Sequence, residues 1–256
     1  MSGRRAAWRA VYELLGARVR EPEWAFMNYG YAPAGGPVLK LAPGDEPDRL
    51  CIQLYDHVLA GADLMDQDVL EVGSGRGGGA SYVARYVRPR SVTDLDFSRS
   101  AVEPCSRHRR APGLRFVHGD AQAMPFPDAS FDAVINVESS HCYPSMETFL
   151  AEVARVLRPG GRLFFADLRS AEDVPRLRDQ LQGSGLTLRR EQDITAEVLR
   201  AMQLDNARKL GLVDAWIPRP FHRVFRPFAG VEGTRNFAGL GSGRLRYLSA
   251  QLARAR

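Results

Sequence analysis

The stretch from Asp68 to Gly79, DVLEVGSGRGGG, constrains this chain more than any other. Residues 68–72 read as a short buried strand, and residues 80–87, ASYVARYV, carry helical spacing. Between them glycine dominates, at Gly73, Gly75, Gly77, Gly78 and Gly79. A strand, a glycine-rich turn and a helix form the first crossover of a doubly wound sheet. Glycine lets the main chain turn tightly and leaves room for a ligand against the backbone. The first turn of the helix adds free N–H groups and the positive end of a dipole. Gly73, Gly75 and Gly78 satisfy G-x-G-x-x-G, a dinucleotide signature, but the same turn serves other ligands. The flanking strands have to decide.

The pattern repeats downstream. Residues 91–96 read as strand two, and Asp96 ends it, 18 positions beyond Gly78. An acidic residue so placed accepts both ribose hydroxyls in adenosine-binding crossovers. Ser98 then caps a helix running to His108. Residues 114–117 are strand three, with Asp120 just past its end. Residues 131–137, FDAVINV, are strand four, the nearly unbroken apolar run that a central parallel strand requires. A helix over residues 145–157 stops at Arg158-Pro159-Gly160-Gly161, and residues 162–167 are strand five. Strands alternating with helices at this spacing give a doubly wound α/β domain.

The two ends differ from this core. Residues 5–19 have helical periodicity closed by Pro22. Trp24 to Tyr31 is a short aromatic stretch that suits either core packing or a lid over a ligand, and residues 33–47 read as a loop. A helix from Asp48 leads into the first strand. Residues 171–181 are helical, 186–189 form a sixth strand, 195–212 a longer helix and 245–250 a closing strand. The roughly 50 residues between the last two strands are too many for a plain connection and read as a cap. One domain overall is expected: residues 1–47 as N-terminal helix and lid segment, 48–170 as ligand-binding core, and 171–256 as the last strands with a mostly helical cap.

Composition narrows the function. A chain of 256 residues with 45% hydrophobic content buries a sizeable core. The net charge of +5 invites a nucleic-acid partner, but the basic residues are dispersed, as at Arg4-Arg5, Arg107 to Arg110 and Arg189-Arg190. A solvated Arg-rich surface fits better, and no nucleic-acid partner is expected. Cys51, Cys105 and Cys142 stand far apart, which speaks against a disulfide framework and gives no metal-ligand spacing. No apolar run reaches membrane-spanning length, and Glu13 interrupts the apolar N-terminal stretch, so a cytoplasmic protein without a membrane span is expected. Homo-oligomerisation stays open.

EVGSGRG, TDLDFS, HGDAQAMPFPDASFD, VINVESSHCYP and RVLRPGG, in that order, resemble the motif series of class I methyltransferases dependent on S-adenosylmethionine (SAM). That resemblance covers about residues 48–170. NVESSHCYP, ITAEVLR and FAGVEGT extend it, from about Phe26 to the C-terminus, to phthiotriol/phenolphthiotriol dimycocerosate methyltransferases and related natural-product enzymes. The resemblance implies a seven-stranded Rossmann-like sheet whose last strand is antiparallel, with SAM at the carboxyl ends of strands one to four. Carried over by motif, Gly73, Ser74 and Gly75 line the methionine part of SAM, and Glu71 and Ser98 belong to the same site. Asp96 holds the ribose hydroxyls and Phe97 contacts the adenine, whose edge meets Asp120 and Ala121. Asn136 and Glu138 stand beside the methionine end and the transferred methyl. A dehydrogenase would account for Gly73 to Gly78 and Asp96, but not for the Asp120 motif or the Asn136 segment.

The sulfonium of SAM is a good leaving group, so the protein has to align a nucleophile and exclude water, releasing S-adenosylhomocysteine (SAH). A hydroxyl acceptor also benefits from a base. His141, five residues past Asn136, is the expected base, with Glu138 and Tyr143 as neighbours that orient it or the substrate. The competing view is that His141 only hydrogen-bonds loop backbone and proximity carries catalysis. The other histidines, His57, His108, His118 and His222, lack such placement. Tyr29, Tyr31, Tyr143, Trp216 and Phe225, with Trp24, Phe221 and Phe228, supply apolar walls for an acceptor, although any one of them serves equally as cap core. The expected function is SAM-dependent methyl transfer to oxygen or carbon of a hydrophobic small molecule in natural-product or lipid biosynthesis. Two alternatives remain. One is a SAM-binding protein without transferase activity, regulatory or pericyclase-like. The other is an RNA or protein methyltransferase, which the lack of a basic cluster disfavours.

Overall fold

The computed structural model of the protein describes residues 24–35, 38–73 and 75–256. The helix expected over residues 5–19 and the expected site residue Ser74 lie outside that set, as does the Phe228 side chain. Seven strands form one sheet: β1 (Asp68–Val72), β2 (Ser91–Asp96), β3 (Leu114–His118), β4 (Phe131–Val137), β5 (Leu157–Ser170), β6 (Thr187–Asp193) and β7 (Leu245–Ala253). Their order across the sheet is β3-β2-β1-β4-β5-β7-β6. The first five pair in parallel, and β7 runs antiparallel to both β5 and β6. The order reverses between β1 and β4, and in such sheets the ligand crevice opens at that switch, outside the carboxyl ends of the strands.

Helices cover both faces, and the strand sequences show why. Ala133, Val134 and Ile135 in β4 are all fully buried, as a strand covered on both sides must be. In β5, Phe164, Ala166 and Leu168 point to one face while Leu163 and Phe165 point to the other, the two-residue alternation of a strand. The first face packs against α1 (Arg49–Val58), α2 (Gly78–Tyr82) and α6 (Thr195–Trp216) through Ile52, Tyr55, Val58, Tyr82, Val198 and Met202. The second packs against α4 (Met146–Val156) and α5 (Val174–Gln182) through Phe149, Leu150, Val153, Leu177 and Leu181. Ser98 Oγ accepts the Ala101 N–H at 3.3 Å to start α3 (Arg99–His108), and Ser145 Oγ accepts the Thr148 N–H at 3.1 Å to start α4.

Between β6 and β7, where a helical cap was expected, lie α6, α7 (His222–Ala229) and α8 (Arg235–Gly241). A separate apolar cluster of Trp24, Val213, Ile217, Phe225, Ala229 and Val231 ties the N-terminal segment to this region. Among the described residues, no helix is long and apolar enough to cross a membrane.

Some boundaries differ from the sequence reading. Residues 43–48 wind into a 3-10 turn instead of staying a loop, with Pro43 tolerated in its first turn. The helix after the glycine turn loosens into a π turn over Val83–Val87, closed by Arg88 in the left-handed region. Arg158-Pro159-Gly160-Gly161 does not separate α4 from β5. Leu157 already pairs with Phe131 in the sheet, so the chain passes directly from helix to strand. β7 extends to Ala253 because nine of its residues pair with β5.

Candidate active site

β1 delivers the first half of the site. Gly73 leaves the strand at φ +90°, and a Cβ there would lie 2.4 Å from Ser139 Oγ, so glycine is what lets the loop after β4 approach this turn. Gly79, in the first turn of α2, would put a Cβ 2.2 Å from the Tyr55 ring. That close approach brings the Tyr55 hydroxyl to Glu71, where it donates to Oε1 at 2.6 Å. Burial pushes the Glu71 carboxyl up to about 8, with the Tyr55 bond opposing and the Asp96 charge adding. Glu71 Oε2 and Asn136 Oδ1 are buried and have no hydrogen-bond partner among the described residues. The Asn136 amide nitrogen, by contrast, donates to Val72 O at 2.9 Å, Ser139 Oγ at 2.7 Å and the Tyr143 hydroxyl at 3.0 Å. A buried acceptor left unmet costs about 1–3 kcal/mol, so these two oxygens mark where a ligand bearing donors belongs.

β2 and β3 bring the next residues to the same edge. Asp96 accepts the Gly75 N–H at 3.0 Å and the Ser98 N–H at 2.8 Å, which clamps it between the glycine turn and the start of α3. The Phe97 ring is half exposed and tilted toward His118, with centroids 6.3 Å apart. Asp120 closes its own turn by accepting the Gln122 N–H at 2.8 Å, beside the buried Ala121. Glu71, Gly73, Gly75, Asp96, Ser98 and Asn136 thus converge at the switch between β1 and β4, with Phe97, Asp120 and Ala121 along the edge toward β3.

The second half is built on β4 and β5. Glu138 takes a left-handed conformation, φ +49°, right after β4, which a non-glycine residue adopts only when its surroundings hold it. Its carboxylate accepts the Tyr29 N–H at 2.7 Å and the Tyr247 hydroxyl at 2.8 Å, both at Oε1. Burial pushes that carboxyl up to about 7 against the pull of these donors and of Lys209. A short 3-10 turn, Ser140–Cys142, then carries His141. Its Nδ1 meets Asp167 Oδ1 at 2.7 Å, at the end of β5. Asp167 is fully buried and also receives the Ser140 hydroxyl, the His141 and Leu168 N–H groups, and an ion pair from Arg169 at 3.0 Å. Burial alone would favour its neutral form, but the His141 and Arg169 cations hold it below the usual carboxylate range. Burial likewise works against a proton on His141, and the Asp167 carboxylate outweighs it, so the imidazole holds its proton well above its ordinary value. The His141 side chain remains 34% exposed, which leaves part of the ring open to the crevice.

A third piece covers both halves. Trp24 O accepts from Arg76 Nε at 2.5 Å, Ala25 O accepts the Gly78 N–H at 3.2 Å, and Met27 Sδ lies against Gly75. Further along, Asn28 O accepts from Lys209 Nζ of α6 at 3.1 Å, and the Tyr29 hydroxyl accepts from Asn236 of α8 at 2.7 Å. Of the residues expected to line an acceptor, Tyr143 stands beside Asn136 and Ser139, while the Tyr29 side chain is buried in the core of the first face and only its N–H meets Glu138. Tyr31 turns away and stacks on His57 of α1, centroids 4.2 Å apart. Phe225 is buried in the cap cluster with Trp24, and Trp216 packs half-buried on the same cluster. The sequence reading did not single out Asp167, Tyr247, Lys209, Arg169 or Tyr55. A signal existed for Asp167, which ends an apolar strand at the ligand edge as Asp96 does. The others come from elements distant in sequence.

A parallel sheet switching between β1 and β4, an antiparallel β7, a glycine turn after β1 and an acid ending β2 define the class I methyltransferase fold. Comparisons with known proteins agree. Residues 70–165 match the family described as Methyltransferase domain. The chain is 41% identical over 240 residues, 94% of its length and 89% of the relative's, to a phthiotriol/phenolphthiotriol dimycocerosates methyltransferase of Mycobacterium tuberculosis. It is 43% identical over 212 residues, 83% of its length and 77% of the relative's, to a fatty-acid O-methyltransferase of Mycolicibacterium smegmatis. The crystal structure of the cyclase SpnF aligns with a TM-score of 0.70 at 20% identity, covering 97% of this chain and 95% of that one, a likeness of fold alone. The chain belongs to the family of SAM-dependent methyltransferases that includes these two mycobacterial relatives.

Proposed function

We propose that the chain transfers the methyl of SAM to an oxygen of a hydrophobic, lipid-like acceptor, with His141 taking the acceptor's proton. The observation that carries this is the His141–Asp167 pair, 2.7 Å apart, on the loop after β4 where the crevice opens. The acceptors named for the two mycobacterial relatives, a dimycocerosate lipid and a fatty acid, are of the same apolar kind.

The residues fit SAM. Two buried acceptors with no partner among the described residues, Glu71 Oε2 and Asn136 Oδ1, suit the ammonium end of its methionine part. Asp96, held by the Gly75 and Ser98 N–H groups at the end of β2, is placed to accept the ribose hydroxyls. Phe97 offers an open ring for the adenine, and Ser74 belongs to the same turn by motif. SAM supplies an electrophilic methyl on a sulfonium. The chain's own part is alignment and proton handling. Residues 24–30 roof the glycine turn and exclude water. His141 takes the proton of an acceptor hydroxyl, and Asp167 stabilises the imidazolium that results. The Tyr29 peptide and Tyr143 confine the acceptor from two sides. Glu138 holds the roof to the crevice through the Tyr29 N–H.

The test uses the full chain with SAM and long-chain acceptors bearing a hydroxyl. His141→Ala should lower kcat by about 10²–10⁴ while leaving SAH affinity in calorimetry close to wild type. The wild-type rate should rise with pH above the ordinary imidazole range, because Asp167 delays loss of the His141 proton. A variant with the wild-type rate and pH profile, or a product carrying its new methyl on carbon, would sink the proposal.

A further inference from the structure

Asp167 serves two cations at once. His141 holds one oxygen, Oδ1, at 2.7 Å, and Arg169 holds the other, Oδ2, at 3.0 Å. One buried carboxylate balances one cation, so while His141 carries its proton this trio holds one surplus positive charge, which is relieved when the imidazole gives that proton up. Arg169 is itself well enclosed, with its side chain 14% exposed. Its guanidinium also donates to Ser140 Oγ at 2.7 Å and to Leu168 O at 2.7 Å, and touches Met146 Sδ at 4.0 Å. Ser140 is the first residue of the turn that carries His141, and its hydroxyl donates in turn to Asp167. Arg169 therefore reaches the imidazole by two routes. Electrostatically, it claims part of the charge that Asp167 offers to His141. Mechanically, it braces the turn from which the ring projects.

We propose that Arg169 is a positioning residue for methyl transfer, which shares Asp167 with His141, limits how firmly the imidazole keeps its proton, and so sets the pH range in which His141 can act as a base. This rests on the reading of His141 as the base. Besides Asp167, Cys142 on the same loop bears on the ring. Glu138 on that loop, Tyr29 of the covering segment and Tyr247 of β7 act on Asp167 or through it, and Lys209 of α6 lies behind Glu138. Glu138 also titrates near neutrality, so the His141 ring has to be observed directly.

The experiment compares the full-length wild type with Arg169→Gln, Arg169→Met and Arg169→Lys. The His141 ring is followed by NMR during a pH titration, its signal assigned by its loss in His141→Gln. The pH profile of kcat at saturating SAM is measured alongside. Glutamine can still donate to Ser140 but is neutral, and lysine keeps the charge but loses the fork. Without the second cation, the His141 midpoint should move up by about one to two pH units in the glutamine and methionine variants, and stay near wild type in the lysine variant. The rising limb of the rate profile should move with it. Folded neutral variants with an unmoved His141 midpoint, losing rate equally at every pH, would overturn the proposal and leave Arg169 a brace only. A midpoint that moves while the rate profile stays fixed would support Arg169 as the tuner and refute His141 as the base. If methionine fails to fold, the glutamine variant decides the same question.

Discussion

Replacing Glu138 with glutamine isolates one carboxyl of the site that no cation touches within ion-pair distance among the described residues. The residue is partly buried, and its Oε1 accepts two hydrogen bonds that a glutamine oxygen can also accept. Burial lifts its proton affinity in the fold from 4.5 to about 7. The folded value is raised, so the favourable contribution is complete below the unfolded value and fades as pH rises through 7. At 1.36 kcal/mol per unit, the full span is worth about 3 kcal/mol, of which about 2–3 kcal/mol falls between pH 5 and pH 8. Glutamine carries no such dependence. Urea unfolding of both proteins at pH 5, 6, 7 and 8 should therefore show the wild type losing about 2–3 kcal/mol relative to Glu138→Gln across that range, with unchanged m-values. The difference at pH 5 alone decides nothing, since the amide N–H groups of glutamine need partners of their own. Stability curves that run parallel from pH 5 to pH 8 would refute the reasoning, because they would mean Glu138 is as free to ionise in the fold as in the unfolded chain.

Two further outcomes follow from the other half of the site. Asp96→Ala should weaken SAH binding by calorimetry roughly 30-fold or more, the cost of leaving ribose hydroxyls without their acceptor, with the circular dichroism spectrum unchanged; an unchanged Kd removes Asp96 from the site. Gly79→Ala places a Cβ 2.2 Å from the Tyr55 ring in a fully packed region, so it should cost about 2 kcal/mol or more in chemical unfolding; a variant as stable as wild type would show that Tyr55 can move aside.

The five parallel strands were legible because their signals are local. Apolar runs such as 131–137 and the glycine or acid that ends each strand need no distant partner to be read. The lengths of β6 and β7 were not, because an antiparallel pairing sets them and only its apolar centre stands out in sequence. Within the site, Gly73, Gly75, Asp96 and Asn136 were readable as punctuation after strands, and the structure gathers them at one switch. The surroundings of His141 were harder. Glu138 is its close neighbour in sequence and was expected to orient it or the substrate, but the left-handed turn at Glu138 sends the carboxylate to Tyr29 and Tyr247. Asp167, 26 residues further on, occupies the place beside the ring. Nothing in a linear pattern announces a positive φ on a glutamate. The aromatic stretch was readable only as a group. Tyr29 and Tyr31 are two residues apart, yet one is buried in the core with its hydroxyl on Asn236 and the other stacks on His57.

Residues 24–30 touch the glycine turn with one end and helices α6 and α8 with the other, so on the proposed reading cofactor and acceptor would lie under the same strip of chain. A molecule settled at the glycine turn restricts Ala25 to Met27, and through them the Tyr29 peptide that bounds the second compartment. The entropy lost in fixing that strip is then spent on the first arrival, and the second meets a surface already set. Thermodynamic reciprocity makes the effect mutual: if SAM tightens the hold on acceptor, acceptor must tighten the hold on SAM by the same factor. Two ligands would in this way bind cooperatively through a single short segment that borders both compartments.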